Sequence, residues 1–184
     1  MIKHAEPPIT LAVPPRPTDH SLGSEHAQVT IVEYGDYACP GCKLAAPTPA
    51  LLLERYPNRI RFIYRHFPLE DAHPQALLAA EAAEAAAAQG KFWPMHDLLF
   101  QHQAHLKEKD LTHYAAELGL DPIRYTAEMG DHIYLQKVRE SEAGGRRSHL
   151  RATPSFFVNG VLHDVSFGME ALHEAVAVAV HRAR

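Results

Sequence analysis

The chain has 184 residues, a formal net charge of -4 and 46% hydrophobic residues. This length suits one ordinary domain with room for an insertion. The acidic balance argues against nucleic acid as a partner, because phosphate binding requires clustered positive charge. The first 21 residues lack the apolar core and the cleavage site of a signal peptide, and no transmembrane span is visible. We therefore expect a cytoplasmic protein without a membrane contact; the alternative is a periplasmic protein whose signal peptide has been removed.

The first half of the chain predicts a β-α-β unit after an extended arm. Residues 1–22 are interrupted by five prolines between Pro7 and Pro17, which excludes a helix and leaves residues 9–13 as a possible edge strand. Apolar runs predict strands over residues 28–34 and 60–67. A helix over residues 40–54, kinked by its prolines, connects them, so the two strands should be parallel.

The second half predicts a helical insertion and then the end of the sheet. Helical patterns cover residues 74–89, 93–103, a segment from Asp110 to Gly119, and a segment after Asp121. A Gly-Gly pair at 144–145 is expected to break this helical run. Strands follow over 155–158 and 161–167 around a hairpin signal at 159–160, and a helix covers 169–182. We thus predict an N-terminal arm (1–22), an α/β unit (23–72 and 146–184) and an inserted helical domain (73–145).

The chemistry of the chain is concentrated in the sequence Cys39-Pro40-Gly41-Cys42, where the first strand leads into a helix. Proline suits the first helical position, which makes Cys39 the N-cap. Its sulfur then faces the free N–H groups of the first turn, so its thiolate should be favoured. Cys42, three residues later, lies on the same face of the predicted helix as Cys39. Since the chain has no other cysteine, the pair reads as a redox dithiol: one sulfur attacks a disulfide and the other resolves the mixed intermediate.

Several further segments occur in an order that resembles the DsbA-like group of thioredoxin-fold proteins, over roughly residues 20 to 182. The segments are a strand carrying Glu33, the CPGC motif, Arg65-His66-Phe67-Pro68-Leu69, Gly90-Lys91-Phe92-Trp93, and Thr153-Pro154-Ser155-Phe156-Phe157-Val158-Asn159-Gly160. The chain departs from the commoner family pattern at two positions. Gly41 replaces the bulkier residue of the family's CPxC motif, and Ala152 stands where a glycine often precedes Thr-Pro.

The resemblance implies a thioredoxin fold, with a mixed central sheet, flanking helices and an inserted helical domain. It also implies a cis bond at Thr153-Pro154, in a loop that faces the cysteines and pairs with the substrate backbone. Glu33 should be buried beneath Cys42 and carry its proton; a solvated carboxylate at the strand end is the alternative. Tyr37 is a candidate substrate contact at the entrance to the site.

The predicted function is a thiol-disulfide oxidoreductase without a cofactor, acting on protein or small-molecule thiols and disulfides with an unidentified redox partner. Cys39 is the nucleophile and Cys42 resolves. A cytoplasmic location favours the reductase or isomerase direction. Two alternatives remain: an oxidase that donates its disulfide, and a non-catalytic thiol- or metal-binding protein on the same fold. No metal site is predicted, because no second ligand pair follows Cys42 at zinc spacing.

Overall fold

The structure is a computed structural model that describes residues 7–183. Residues 1–6 of the predicted arm and residue 184 lie outside the described residues. The strands are β1 His20–Gly23, β2 Val29–Gly35, β3 Ile60–His66, β4 Ser155–Val158 and β5 Val161–His163. The helices are α1 Pro40–Ala45, α2 Thr48–Arg55, α3 Ala76–Ala87, α4 Phe92–Gln101, α5 Glu108–Glu117, α6 Pro122–Gly130, α7 Leu135–Arg147 and α8 Glu170–Arg182.

The strands form one mixed sheet in the order β1-β3-β2-β4-β5. The central pair, β2 and β3, is parallel, as a helical connection requires, and the other neighbours are antiparallel. Apart from one half-buried position in each, β2 and β3 are buried along their whole length. Burial on both faces explains their nearly continuous apolar sequences.

Side chains alternate between two apolar layers, one on each face of the sheet. Ile31, Phe62 and Phe156 belong to the larger layer, which also contains buried side chains of α3 to α6 and α8. Val32 follows Ile31 in β2 and Phe157 follows Phe156 in β4. Both belong to the smaller layer, on the other face of the sheet. This period of two fixes the register, because a slip of one residue would exchange the layers.

The mixed sheet with helices on both faces confirms the predicted thioredoxin fold. Helices α3 to α7 separate β3 from β4 along the chain, where the sequence predicts the insertion. The division of the chain into domains stays a prediction. Within residues 7–183, no helix combines the length and the apolar character needed to cross a membrane.

One helix continues where the sequence predicts a break. Helix α7 runs through Gly144 and Gly145 to Arg147, so the expected break is wrong. The two glycines instead allow a close approach of the helix to the sheet. A Cβ on Gly145 would lie 2.5 Å from the ring of Phe67, and one on Gly144 would lie 3.1 Å from the hydroxyl of Tyr34. Packing therefore offsets the weak helix propensity of glycine, about 1 kcal/mol per residue.

The edges of the sheet also differ from the sequence prediction. Residues His20–Gly23, which the prediction divides between the arm and the α/β unit, form β1 and pair with β3. The segment expected as an edge strand contributes one isolated bridge, from Thr10 to Val161. Strand β5 ends at His163, four residues before the predicted end. These edge segments are short, so their pairing depends on the neighbouring strand more than on local pattern.

Candidate active site

Cys39 and Cys42 lie where β2 leads into α1. Cys39 is the N-cap residue, with an extended backbone (φ -79°, ψ 122°), and Pro40 follows in the first turn. The backbone N–H of Cys39 donates to the carbonyl oxygen of Asp36 at 3.1 Å, which closes the turn before the helix. Both cysteines are free thiols. Cys39 has 7% of its surface exposed and Cys42 has none, so the N-cap sulfur is the more accessible one.

The surroundings of Cys39 favour its thiolate. A hydrogen bond from the Cys42 thiol is the largest contribution, and backbone N–H groups of Gly41 and Cys42 also point to the sulfur; together they outweigh burial and lower the pKa of Cys39 to about 5. The N-terminal end of α1 supplies these N–H groups because they have no partner within the helix. A sulfur with such a pKa is largely ionised at neutral pH.

Cys42 has the opposite character. Burial, the hydrogen bond with Cys39 and the nearby Glu33 carboxyl all raise the pKa of Cys42 far above its ordinary value. The backbone N–H of Asp36 donates to its sulfur at 3.4 Å. The dithiol therefore combines an acidic cysteine that keeps a small exposed surface with a fully buried one that holds its proton.

Glu33 is buried, as the sequence predicts, with 2% of its surface exposed. It lies on β2 between Tyr64 of β3 and Phe156 of β4 in the register of the sheet. Burial, with a smaller contribution from the charge of Cys39, raises the pKa of Glu33 to about 8. A carboxyl with this pKa gains and loses a proton near neutral pH, which suits proton exchange with Cys42.

The loop before β4 lies against the dithiol. The peptide bond between Thr153 and Pro154 is cis. Cys39 Sγ lies 3.3 Å from the carbonyl oxygen of Thr153, to which the sulfur donates only in its protonated form. A methyl group on Gly41 would come within 3.0 Å of Pro154 Cδ, so the small residue in the CPGC motif allows this close contact. A cleft of about 360 Å³ is lined in part by Thr153 and Pro154.

Tyr37, the candidate substrate contact, is buried in this structure, and its role in substrate binding stays a prediction. Its side chain is 1% exposed and packs among aromatic rings, with the Phe100 ring centroid 5.0 Å from its own. Its hydroxyl shares a hydrogen bond of 3.0 Å with Nδ1 of His96, which is buried. Burial lowers the pKa of His96 to about 3, so this imidazole is neutral. The apolar ring of Tyr37 turns inward because helix α4 covers it.

Asp36, in the turn between β2 and Cys39, is buried. Its carboxylate is fully buried and accepts hydrogen bonds from the backbone N–H groups of Ala38 at 2.7 Å and Leu69 at 3.0 Å. His73 Nδ1 lies 2.8 Å from the same carboxylate. The residue thus ties the active-site turn to the loop after β3. Its sequence position, next to Tyr37 in a polar loop, gave no signal of burial.

Gln103 is a second contact that sequence reasoning missed. It follows α4 in the inserted region, and its amide nitrogen donates to the carbonyl oxygens of Tyr37 and Cys39, both at 2.9 Å. It is 64 residues away from Cys39 along the chain. Only the folded structure shows that this side chain reaches the site.

One group away from the cysteines could hold a metal ion. Candidate ligand atoms of His20, His66 and Glu84 lie within 4.8 Å of one another. Here both imidazoles bond the same Glu84 oxygen, at 2.8 and 2.9 Å, and Lys137 Nζ lies 2.5 Å from the other. Although burial opposes ionisation, the bonds from the histidines lower the pKa of Glu84 below its ordinary value. The carboxylate is therefore already neutralised by protein groups.

Residues 16–177 match the family model described as Thioredoxin. The chain belongs to this thioredoxin family.

Solved structures show the same architecture. A thioredoxin-like oxidoreductase from Silicibacter pomeroyi superimposes with a TM-score of 0.78 at 30% identity, over 89% of this chain and 93% of that one. BdbD from Bacillus subtilis, in its oxidised form, gives 0.78 at 21% identity over 89% and 93%. The α-DsbA1 protein of Wolbachia pipientis gives 0.77 at 21% identity over 92% and 94%. These neighbours confirm that the chain has the fold of the DsbA-like proteins that its sequence resembles.

Curated relatives are longer proteins of a different description. The chain is 47% identical over 172 residues to the Na⁺/H⁺ antiporter NhaA 1 of Salinispora arenicola, covering 93% of this chain and 26% of the antiporter. The antiporter NhaA of Herminiimonas arsenicoxydans is 40% identical over 159 residues, which cover 86% of this chain and 25% of the antiporter. The chain thus spans about a quarter of the length of these relatives.

Proposed function

We propose that the protein is a thiol-disulfide oxidoreductase that uses Cys39 as nucleophile and Cys42 as resolving thiol. In the reducing direction, the Cys39 thiolate attacks a substrate disulfide, forms a mixed disulfide and releases one substrate thiolate. Cys42 then loses its proton and attacks Cys39 Sγ, which releases the second substrate thiolate and leaves the Cys39–Cys42 disulfide. The oxidising direction reverses each step.

The observation that carries this proposal is the contrast between the two sulfurs. Cys39 is the more exposed of the two, at 7% against none, and its pKa is lowered to about 5, whereas burial raises the pKa of Cys42. A nucleophile must be ionised and reachable, and a resolving thiol must stay protonated until the mixed disulfide has formed. A cysteine pair with a purely structural role has no need of this difference.

Glu33 and the loop before β4 complete the proposed site. Glu33 accepts the proton of Cys42 during resolution and returns it in the reverse direction, for which its pKa of about 8 is suited. The main chain at Thr153 and Pro154, in the loop before β4, pairs with the backbone of an extended substrate next to the reacting sulfur. No cofactor takes part in these steps.

The electrostatics favour the oxidase among the alternatives. Hydrogen bonds that lower the pKa of Cys39 stabilise the reduced protein relative to its disulfide, which makes the disulfide a stronger oxidant. We therefore propose that the protein donates disulfides, in place of the reductase or isomerase direction expected from the sequence. This direction needs an oxidising compartment, and a structural neighbour from Salmonella enterica is a periplasmic thioredoxin-like protein. The cytoplasmic expectation is replaced by this extracytoplasmic proposal.

Equilibration with glutathione redox buffers tests both activity and direction. The oxidised fraction is measured by alkylation of free thiols and mass spectrometry. We expect a reduction potential above about -200 mV, nearer to strongly oxidising dithiols at about -120 mV than to thioredoxin at about -270 mV. A reduction potential near that of thioredoxin would contradict the oxidase direction and favour a reductase. No exchange with glutathione, together with zinc retained by the purified protein, would instead support the non-catalytic metal-binding alternative.

The curated relatives favour a particular partner. Identity of 47% over 93% of this chain places a similar unit within proteins described as Na⁺/H⁺ antiporters. We propose that the redox unit acts on, or together with, a membrane cation antiporter. The test is to mix the Cys42→Ala variant with membranes that contain such an antiporter with and without its cysteines. A disulfide-linked adduct that requires those cysteines is expected, and its absence would remove the antiporter as a substrate.

A further inference from the structure

The inserted helices reach the reactive cysteine through one side chain. Gln103 Nε2 donates to the carbonyl oxygens of Tyr37 and Cys39, both at 2.9 Å. These two carbonyls belong to the turn that presents Cys39 at the start of α1. A single half-buried amide from the insertion therefore holds two peptide units of that turn.

The hydrogen bond from Gln103 to Cys39 shares its acceptor with the first backbone hydrogen bond of α1. The Cys39 carbonyl also accepts the backbone N–H of Lys43 at 3.2 Å, which is the bond that starts α1. The peptide plane of this carbonyl is shared with Pro40, which has no N–H, and the next two peptide planes of the same helical turn carry the N–H groups of Gly41 and Cys42. Those N–H groups, from Gly41 and Cys42, are among the donors that favour the Cys39 thiolate. Because these groups belong to one helical turn, a displacement of the Cys39 carbonyl also displaces the N–H groups of Gly41 and Cys42.

The insertion is firmly attached on the other side of the same turn. The hydroxyl of Tyr37 bonds His96 of α4 at 3.0 Å, and the ring of Phe100 packs against Tyr37. The buried face of α4 also includes Met95 and Leu99. Gln103, two residues beyond the end of α4, thus extends from a packed helix, and its amide is a fixed point for the turn.

We propose that Gln103 is a positioning residue: through its two hydrogen bonds, the inserted helices hold Cys39 in the N-cap geometry that thiol-disulfide exchange requires. The inference rests on the proposed function and deepens it. Gln103 does not touch the reacting sulfur; it acts through the main chain of Tyr37 and Cys39. The helical insertion thereby sets the reactivity of the dithiol as well as covering the core.

Two substitutions at Gln103 separate this role from simple stabilisation. Gln103→Met keeps the length of the side chain and removes both donors. Gln103→Glu removes the donors and places a carboxylate against two carbonyl oxygens, which repels the turn and adds negative charge near the thiolate. Gln136→Met is the matched control, because Gln136 is exposed on α7 and bonds only Glu140 in the described structure.

The readouts are the ultraviolet absorbance of the Cys39 thiolate against pH, its alkylation rate, and the free energy of unfolding. We expect the pKa of Cys39 to rise by about half a unit or more in Gln103→Met, which is about a threefold change in proton affinity. Gln103→Glu should raise it further, and Gln136→Met should leave it unchanged. If Gln103→Met fails to fold, the more polar Gln103→Glu carries the test alone.

An unchanged Cys39 titration in both folded Gln103 variants overturns the inference, even when their free energy of unfolding falls. That result would make Gln103 a structural residue only. Failure of the proposed function has a different signature: the unmodified protein would then show no disulfide exchange. A protein that exchanges disulfides normally, with Gln103 variants that titrate like the unmodified chain, contradicts the positioning role and leaves the proposed function intact.

Discussion

The sulfur of Cys39 lies 3.3 Å from the main-chain carbonyl oxygen of Thr153, the residue that precedes Pro154. The contact joins two segments that are 114 residues apart along the chain. It places the Cys39 thiol against the loop before β4, and Thr153 and Pro154 of that loop also line a cleft of about 360 Å³. A substrate that lies along this loop would therefore present its backbone to Thr153 and its disulfide to Cys39 together.

Selective alkylation should identify Cys39 as the nucleophile. Its pKa is lowered to about 5 by the hydrogen bond from Cys42 and by N–H groups of the helix, while burial raises the pKa of Cys42. With iodoacetamide at about pH 6, where an ordinary thiol with a pKa of about 8.5 is almost fully protonated, we expect Cys39 to be labelled and Cys42 to be spared. Peptide mass mapping of the reduced protein gives the answer. Preferential labelling of Cys42 would reverse the two roles.

Glu33→Gln should slow the resolving step. The amide keeps the shape of the carboxyl and cannot take up the proton of Cys42, so we expect the decay of the mixed disulfide to slow by about a hundredfold near neutral pH. In the unmodified protein, the rate should rise with pH up to about 8, the pKa to which burial raises Glu33. Stopped-flow kinetics with a disulfide peptide measure both effects. Equal rates and equal pH profiles in the two proteins would leave Glu33 a structural residue.

Glu33 should also make stability depend on pH. Its pKa is raised from 4.5 to about 8 by burial, so between these values the folded chain keeps a proton that the unfolded chain loses. Folding is then increasingly disfavoured as the pH rises, because the unfolded state binds fewer protons. Glu33→Gln removes this penalty. We expect its free energy of unfolding, relative to the unmodified protein, to increase from pH 4.5 to about 8 and then level off.

Asp36 should stabilise the protein more than an exposed helix cap does. Its buried carboxylate accepts two backbone N–H groups and contacts His73, so Asp36→Ala leaves these groups without a partner. We expect a loss of about 2 to 4 kcal/mol in the free energy of unfolding. Asp121→Ala is the control: Asp121 caps α6 through one exposed bond to the N–H of Arg124, worth about 1 kcal/mol. Equal losses in the two variants would show that the Asp36 contacts contribute no more than a cap.

Gly41→Ala should impair exchange with peptides. The added Cβ would lie 3.0 Å from Pro154 Cδ and 3.7 Å from Cys39 Sγ, so the loop must move by a few tenths of an ångström. We expect exchange with a disulfide peptide to slow by about threefold to tenfold, less than the roughly hundredfold cost of a 1 Å displacement. Exchange with a small disulfide, which does not need the loop, should change less. Gly130→Ala, with open space around its Cβ, controls for the added methyl group.

The sequence alone predicts the parts of the site that depend on local order. The Cys39–Cys42 spacing, the N-cap position and the burial of Glu33 follow from an apolar strand that leads into Pro40. The central strands and the last helix are predicted from hydrophobic periodicity, which is also a local property of the sequence. These features need no information about distant contacts.

The features that the sequence did not predict depend on tertiary contacts. Gly144 and Gly145 read as a helix break because propensity is local, whereas their role is a close approach to Tyr34 and Phe67. In the sequence Tyr37 resembles an exposed loop residue, whereas in the structure helix α4 covers its ring. Gln103 is one polar residue among many in the insertion, and only folding brings it to the Cys39 carbonyl. Contacts between residues far apart in sequence leave no periodic signal.

Trapping with Cys42→Ala tests the central claim most directly. Without the resolving thiol, attack by Cys39 on a disulfide peptide should stop at the mixed disulfide, which mass spectrometry detects as a peptide adduct on Cys39. Cys39→Ser, which lacks the nucleophile, should form almost no adduct under the same conditions. We expect a stable adduct in the first variant alone. Absence of that adduct, while the unmodified protein still exchanges disulfides with the same peptide, would contradict the assignment of Cys39 and Cys42.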